Sequence, residues 1–176
     1  MKENKDYFEL TGVHQLDDAF ASNLANFSGR KILLNDLQTL SENHAKLIAD
    51  FPGRIELNGL TTIDPATITE LTKTKRILSL NGLKDLPDST AKAFKKFKGF
   101  LGLDGLETIS SDAFQHLLEF GGKKLRLNGL KKLPDGFIAP KTRGTYKLEL
   151  DGLIELSEQG AQELAKTGDS VLLNGL

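Results

Sequence analysis

A four-residue pattern recurs along the chain at nearly constant spacing. Its first residue is leucine, its second is Thr, Asn or Asp, its third is Gly or Asp, and its fourth is Leu or Val. The first leucines are Leu10, Leu34, Leu57, Leu80, Leu103, Leu127, Leu150 and Leu173. They lie 23 or 24 residues apart. A fixed period of this length predicts a solenoid, in which successive repeats stack and share one core.

Each repeat is predicted to begin with a short strand that ends at the repeated pattern. The residue two before each leucine is apolar, as in Ile55 before Leu57, so both side chains point inward while the residue between them points outward. Equivalent strands then form a parallel sheet. Glycine at the third position predicts a turn with positive φ. Asp36, which replaces glycine there, is expected to adopt the same left-handed conformation.

A short helix is predicted to follow each strand. Residues that suit the N-cap are Asp17, Ser41, Asp64, Ser110 and Ser157. The apolar residues eleven and fourteen positions after the first leucine predict a buried stripe, which in the last complete repeat is Ala161 and Leu164. The repeat after Leu127 carries Gly136 and Pro140 where its helix would run, so we expect a broken or 3₁₀ turn there, with Ile138 reaching the core.

Strand, turn and helix at this period resemble leucine-rich repeats over essentially the whole chain. The segment Gly160-Ala161-Gln162-Glu163-Leu164-Ala165 is similar to the helical half of ribonuclease-inhibitor-type repeats, and Leu-x-Leu-Asn-Gly-Leu-x-x-Leu resembles short-repeat arrays in bacterial proteins. The resemblance implies an α/β right-handed solenoid, with a parallel sheet on the concave face and short helices on the convex face. It also implies one domain over 1–176, of about seven repeats plus a terminal strand, used for protein binding.

The outward strand positions are the candidate partner-binding residues on the concave face. We single out Arg54, Glu56, Ile77, Ser79, Phe100, Lys124, Arg126 and Lys147. Ile77 and Phe100 fall on adjacent strands beside the small residues Ser79 and Gly102, so a shallow apolar depression inside a charged rim is expected, as at a binding hot spot. The alternative is that this apolar pair only stabilises the sheet through cross-strand contact.

Three other residue sets carry weaker functional interpretations. The column Thr11, Asn35, Asn58, Asn81, Asp104, Asn128, Asp151 and Asn174 offers oxygen ligands for calcium, but capping of turns or of the next repeat's backbone is the simpler role. The basic residues Lys123, Lys124, Arg126, Lys131, Lys132, Arg143 and Lys147 would suit nucleic acid, but without a stacking motif they are read as a solvated face. The histidines fall at different repeat positions and predict no metal site.

Composition narrows the function further. The chain has no cysteine and a formal net charge of −1, which exclude thiol chemistry and a global attraction to anionic surfaces. No catalytic set can be assembled, and no cofactor or membrane span is expected. The predicted function is a non-catalytic scaffold that binds a protein or peptide; the alternatives are a structural spacer or a glycan or small-ligand module. The absence of a leader pattern predicts a cytoplasmic location, or an exported protein if a leader was removed.

The terminal strands suggest one further partner. Both outermost strands expose a sheet edge, and the last repeat stops before its helix. The sequence therefore predicts either a segment of a longer array or end-to-end association with another copy.

Overall fold

The computed structural model describes residues 6–74, 76–140, 146–167 and 170–176. Its strands form one open parallel sheet in which each strand pairs with the next along the chain. The strands are β1 (Tyr7–Glu9), β2 (Lys31–Leu33), β3 (Arg54–Glu56), β4 (Ile77–Ser79), β5 (Phe100–Gly102), β6 (Lys124–Arg126), β7 (Lys147–Glu149) and β8 (Ser170–Leu172). Strands alternate with helices, which gives an α/β repeat architecture.

The strands are aligned so that equivalent repeat positions are direct neighbours. Their middle residues form one row across the sheet: Phe8, Ile32, Ile55, Leu78, Leu101, Leu125, Leu148 and Val171. From Ile32 to Leu148 each member of this row is at most 1% exposed. The predicted parallel sheet with aligned apolar rows is confirmed. The first and third residues of each strand point to the opposite face.

Six α-helices lie in the described part of the chain. They are α1 (Asp18–Ala25), α2 (Glu42–Ala49), α3 (Pro65–Leu71), α4 (Asp88–Ala93), α5 (Ser111–Leu118) and α6 (Glu158–Thr167), with a 3₁₀ turn, Phe94–Lys96, after α4. The five predicted cap residues accept hydrogen bonds from the backbone amide three residues later: Asp17 from Phe20, Ser41 from His44, Asp64 from Thr67, Ser110 from Ala113 and Ser157 from Gly160.

The segment 131–140, which follows β6, contains no helix, as its glycine and prolines predict. The predicted inward residue is wrong, however. Phe137 is 2% exposed and packs edge-on against Phe114 with ring centroids 4.9 Å apart, whereas Ile138 is 63% exposed. Gly136 adopts a φ of +75° immediately before Phe137. That left-handed residue redirects the chain, so the helical spacing from which Ile138 was predicted does not apply.

The same irregular segment alters the packing of the helix in the next repeat. In α6 the buried residues are Gly160, Leu164 and Thr167, and the predicted Ala161 is exposed. Gly160 lies close to the side chains of Leu133 and Leu156. Leu133 belongs to segment 131–140, so α6 packs against an irregular neighbour and turns a different residue inward.

The predicted positive φ occurs at Gly12, but the other glycines that follow the strands serve a different purpose. Among the described residues only Gly12 and Gly136 have positive φ, and Asp36 does not. At Gly82 an added Cβ would lie 2.0 Å from the carbonyl oxygen of Asn58 and 2.6 Å from that of Leu60. Both atoms belong to the backbone of the preceding repeat. Glycine is therefore required because adjacent repeats approach too closely for a side chain.

Candidate binding face

We call the surface formed by the first and third residues of the strands the open sheet face, because these residues point away from the middle row. All eight candidate residues lie on it, in strands β3 to β7. Across the sheet the first residues run Arg54, Ile77, Phe100, Lys124 and Lys147. The third residues run Glu56, Ser79, Gly102, Arg126 and Glu149.

The centre of the open sheet face is a shallow depression of about 160 Å³, lined by both apolar and polar residues. Ile77 and Phe100 are direct neighbours in the sheet and stand beside it. Its floor includes Ser79, which is 2% exposed, and Gly102, which has no side chain to fill the space. Phe100 remains 39% exposed. Large side chains beside small ones thus create the depression.

The rim of the depression is basic. Its charged lining residues are Arg54, Lys124 and Arg126. The other two candidates, Glu56 and Lys147, lie on the open sheet face but do not line the depression. A second hollow shares Ile77 and Phe100 and is also lined by Pro52, Arg76, Gly99 and Lys123. Neither hollow is lined by a carboxylate, so both favour an anionic or neutral occupant.

Two carboxylates hold the basic residues on either side of the apolar pair. On one side, the Glu56 carboxylate lies 2.8 Å from Arg54 Nε and 3.9 Å from Lys31 Nζ. The Arg54 Nε–H is not directed at this carboxylate, so the contact is electrostatic. We call these three residues the Glu56 cluster. Two cations and one anion give it a net charge of +1.

A matching Glu149 cluster lies on the other side. The Glu149 carboxylate is 2.7 Å from Lys124 Nζ and 3.2 Å from Lys147 Nζ. Its burial acts to raise the pKa of Glu149, but the hydrogen bonds and positive charges of the two lysines outweigh burial and hold that pKa below its ordinary value. Glu149 is therefore ionised near neutral pH, and this cluster also carries a net charge of +1.

Arg126 is positioned by a third carboxylate. Its terminal nitrogen lies 2.5 Å from Asp104 Oδ2. The other oxygen of Asp104 accepts a hydrogen bond from the backbone amide of Asn128 at 3.1 Å. The buried Arg126 Nε has no hydrogen-bond partner among the described residues. Asp104 thus links the basic rim to the backbone of the following repeat.

The Asn and Asp column forms a ladder of hydrogen bonds between repeats. Each side-chain oxygen accepts from the backbone amide of the equivalent residue in the next repeat: Asn35 from Asn58, Asn58 from Asn81, Asn81 from Asp104, Asp104 from Asn128, Asn128 from Asp151 and Asp151 from Asn174. The oxygens that calcium would need are therefore engaged in structural bonds. The described residues contain no group of three or more His, Asp or Glu that could hold a metal ion.

The ladder also supports the depression. Ser79 Oγ donates to Asn58 Oδ1 at 2.9 Å, which fixes the serine in the floor.

The basic residues that the sequence analysis grouped together lie in two places. Lys123, Lys124, Arg126 and Lys147 lie on or beside the open sheet face, while Lys131 and Lys132 are exposed beyond the turn after β6. Arg143 lies outside the described residues.

The sequence did not predict that Arg76 lines the second hollow or that Lys31 pairs with Glu56. Arg76 precedes β4 at the repeat position that Lys123 occupies before β6, so repeat alignment would have placed both at one edge of the apolar pair. The ion pairs were harder to predict from the sequence, because each joins neighbouring repeats and depends on side-chain direction.

No protein-family model and no curated protein matches this chain. None of the helices in the described ranges is both long and apolar enough to cross a bilayer. The open sheet face combines the exposed Phe100 with a basic rim.

Proposed function

We propose that the chain is a non-catalytic scaffold of the leucine-rich-repeat type, which binds a protein or peptide on its open sheet face. The 23- or 24-residue period, with one strand followed by one short helix, supports the family assignment. In such repeats this face is the concave one. The candidate contact residues are Arg54, Glu56, Ile77, Ser79, Phe100, Lys124, Arg126 and Lys147.

The observation that carries the proposal is the exposed Phe100 beside the partly buried Ile77, above the floor of Ser79 and Gly102. A phenylalanine side chain presents about 200 Å², of which Phe100 leaves roughly 80 Å² in water. At about 25 cal/mol per Å², its burial under a partner would contribute about 2 kcal/mol, or roughly 30-fold in affinity. An aromatic residue in a charged rim is a typical energetic centre of an interface.

Affinity capture from a lysate of the source organism, followed by mass spectrometry, tests the proposal. The baits are the wild-type chain, Phe100→Ala and the matched control Ile138→Ala. Ile138 is also an exposed apolar residue, but it lies in segment 131–140, in the place of a helix. We expect a protein that wild type and Ile138→Ala retain and that Phe100→Ala loses by about tenfold or more.

Two results would count against this function. Equal capture by Phe100→Ala and wild type would show that the partner does not bind at the open sheet face. Capture of no protein by any bait would favour the structural spacer. Circular dichroism of each bait establishes that it is folded, and truncation of the partly exposed Phe100 should leave the protein folded.

A further inference from the structure

The basic residues of the open sheet face are spaced in a way that selects a particular partner. Arg54 and Lys124 occupy the same position in β3 and β6, and Ile77 and Phe100 occupy it in the two strands between them. Three strand spacings of about 4.8 Å therefore separate the two basic residues by about 14 Å. The apolar pair lies midway between them.

This separation matches the repeat of an extended peptide. Along an extended chain every second side chain faces the same way, at intervals of about 6.8 Å. A peptide laid across the strands would place one side chain between Ile77 and Phe100. The side chains two residues before and two residues after it would then fall about 7 Å to either side, near Arg54 and Lys124.

The charges at these two positions favour carboxylates. The Glu56 and Glu149 clusters each carry a net charge of +1, and the partly buried Glu56 and buried Glu149 carboxylates hold the cations in place before a ligand arrives. Arg76 and Lys123, which line the adjoining hollow, have no carboxylate partner within the described ranges. Their charges add to the positive potential around the apolar pair.

We propose that the partner is an acidic peptide segment with the pattern carboxylate, any residue, apolar, any residue, carboxylate, bound in an extended form across β3 to β6. This inference rests on the proposed function, which it narrows to a partner chemistry. The apolar side chain packs against Phe100 above Ser79 and Gly102. The two carboxylates meet the Glu56 and Glu149 clusters at Arg54 and Lys124.

Two synthetic peptides of identical composition test the spacing directly. One is acetyl-Gly-Ser-Asp-Ser-Phe-Ser-Asp-Ser-Gly-amide, with aspartates two residues from phenylalanine. The other is acetyl-Gly-Ser-Ser-Asp-Phe-Asp-Ser-Ser-Gly-amide, whose aspartates face away from the phenylalanine in an extended chain. Titration into the ¹⁵N-labelled full chain gives Kd values, with the amides of Ser79 and Gly102 as reporters.

We expect the first peptide to bind about fivefold or more tightly than the second, and to weaken when salt rises from about 50 to about 300 mM. Arg54→Gln combined with Lys124→Gln should abolish the difference between the peptides. Glu56 and Glu149 keep Lys31 and Lys147 as partners in that variant. The matched control is Lys95→Gln, which removes a cation from the pair with Glu119 on the helical side and should change nothing.

Equal binding of the two peptides, or tighter binding of the second, overturns the proposed spacing. Tighter binding of oligo-deoxythymidine than of the first peptide would assign the basic rim to nucleic acid instead. If neither peptide binds, the acidic-peptide inference fails. The proposed protein-binding function is tested separately, by capture that depends on Phe100. Failure of the acidic-peptide inference can therefore be distinguished from failure of the proposed function.

Discussion

Replacing Gly82 by alanine tests how closely the repeats interlock. The added Cβ would lie 2.0 Å from the Asn58 carbonyl oxygen, and relief to an ordinary contact requires a shift of about 1 Å between the two repeats. Two hydrogen bonds join these repeats nearby: Asn81 N–H to Asn58 Oδ1 at 3.0 Å, and Leu57 N–H to the Ser79 carbonyl at 2.9 Å. A shift of this size takes both beyond bonding distance.

The expected cost follows from these two bonds. Each leaves a partly or fully buried polar group unsatisfied, at about 1–3 kcal/mol, so Gly82→Ala should destabilise the protein by about 2–6 kcal/mol. Gly12→Ala is the matched control. Gly12 has a φ of +70° and no atom within 4 Å of an added Cβ, so only its left-handed conformation costs energy, about 1–2 kcal/mol.

Urea unfolding followed by circular dichroism measures both free energies of unfolding. Gly175→Ala adds a third point, because its Cβ would contact the Asp151 carbonyl at 2.2 Å, yet Gly175 lies in the last described repeat, which has a neighbour on one side. We expect the cost to rise in the order Gly12, Gly175, Gly82. If Gly12→Ala costs more than Gly82→Ala, the glycine column acts through φ and the interlocking argument is wrong.

Three further predictions concern stability. Asn81→Ala removes the acceptor of the Asp104 amide and should cost about 1–3 kcal/mol in urea unfolding, whereas Asn81→Asp retains an acceptor and should cost less. The lowered pKa of Glu149 stabilises the fold above its ordinary pKa of 4.5, and this contribution is lost as pH falls through the folded-state pKa; Glu149→Gln should therefore lose less stability between about pH 6 and about pH 3 than wild type. Phe137→Ala should cost about 3–5 kcal/mol in thermal unfolding, and Ile138→Ala less than about 0.5 kcal/mol, the reverse of what helical spacing predicts.

At the candidate site, the repeat pattern predicted which residues share a face but not which charged side chains pair. Strand alternation placed Ile77, Phe100, Ser79 and Gly102 together on one face, because residues at equivalent repeat positions become neighbours once the strands align. The carboxylate that holds Lys124 was not predicted, since it comes from the next repeat. That pairing depends on the direction of two long side chains, about which periodicity carries no information.

The sequence by itself determined the apolar rows that align along the sheet and where five of the six described helices begin. Leucines at a fixed period align when the strands stack, and a side chain such as Ser41 caps the helix within its own segment. Only the tertiary structure decided why Gly82 must be glycine and why Phe137 is buried in place of Ile138. The first depends on the distance between the backbones of neighbouring repeats, and the second on the positive φ of Gly136; the apolar spacing of the sequence specifies neither.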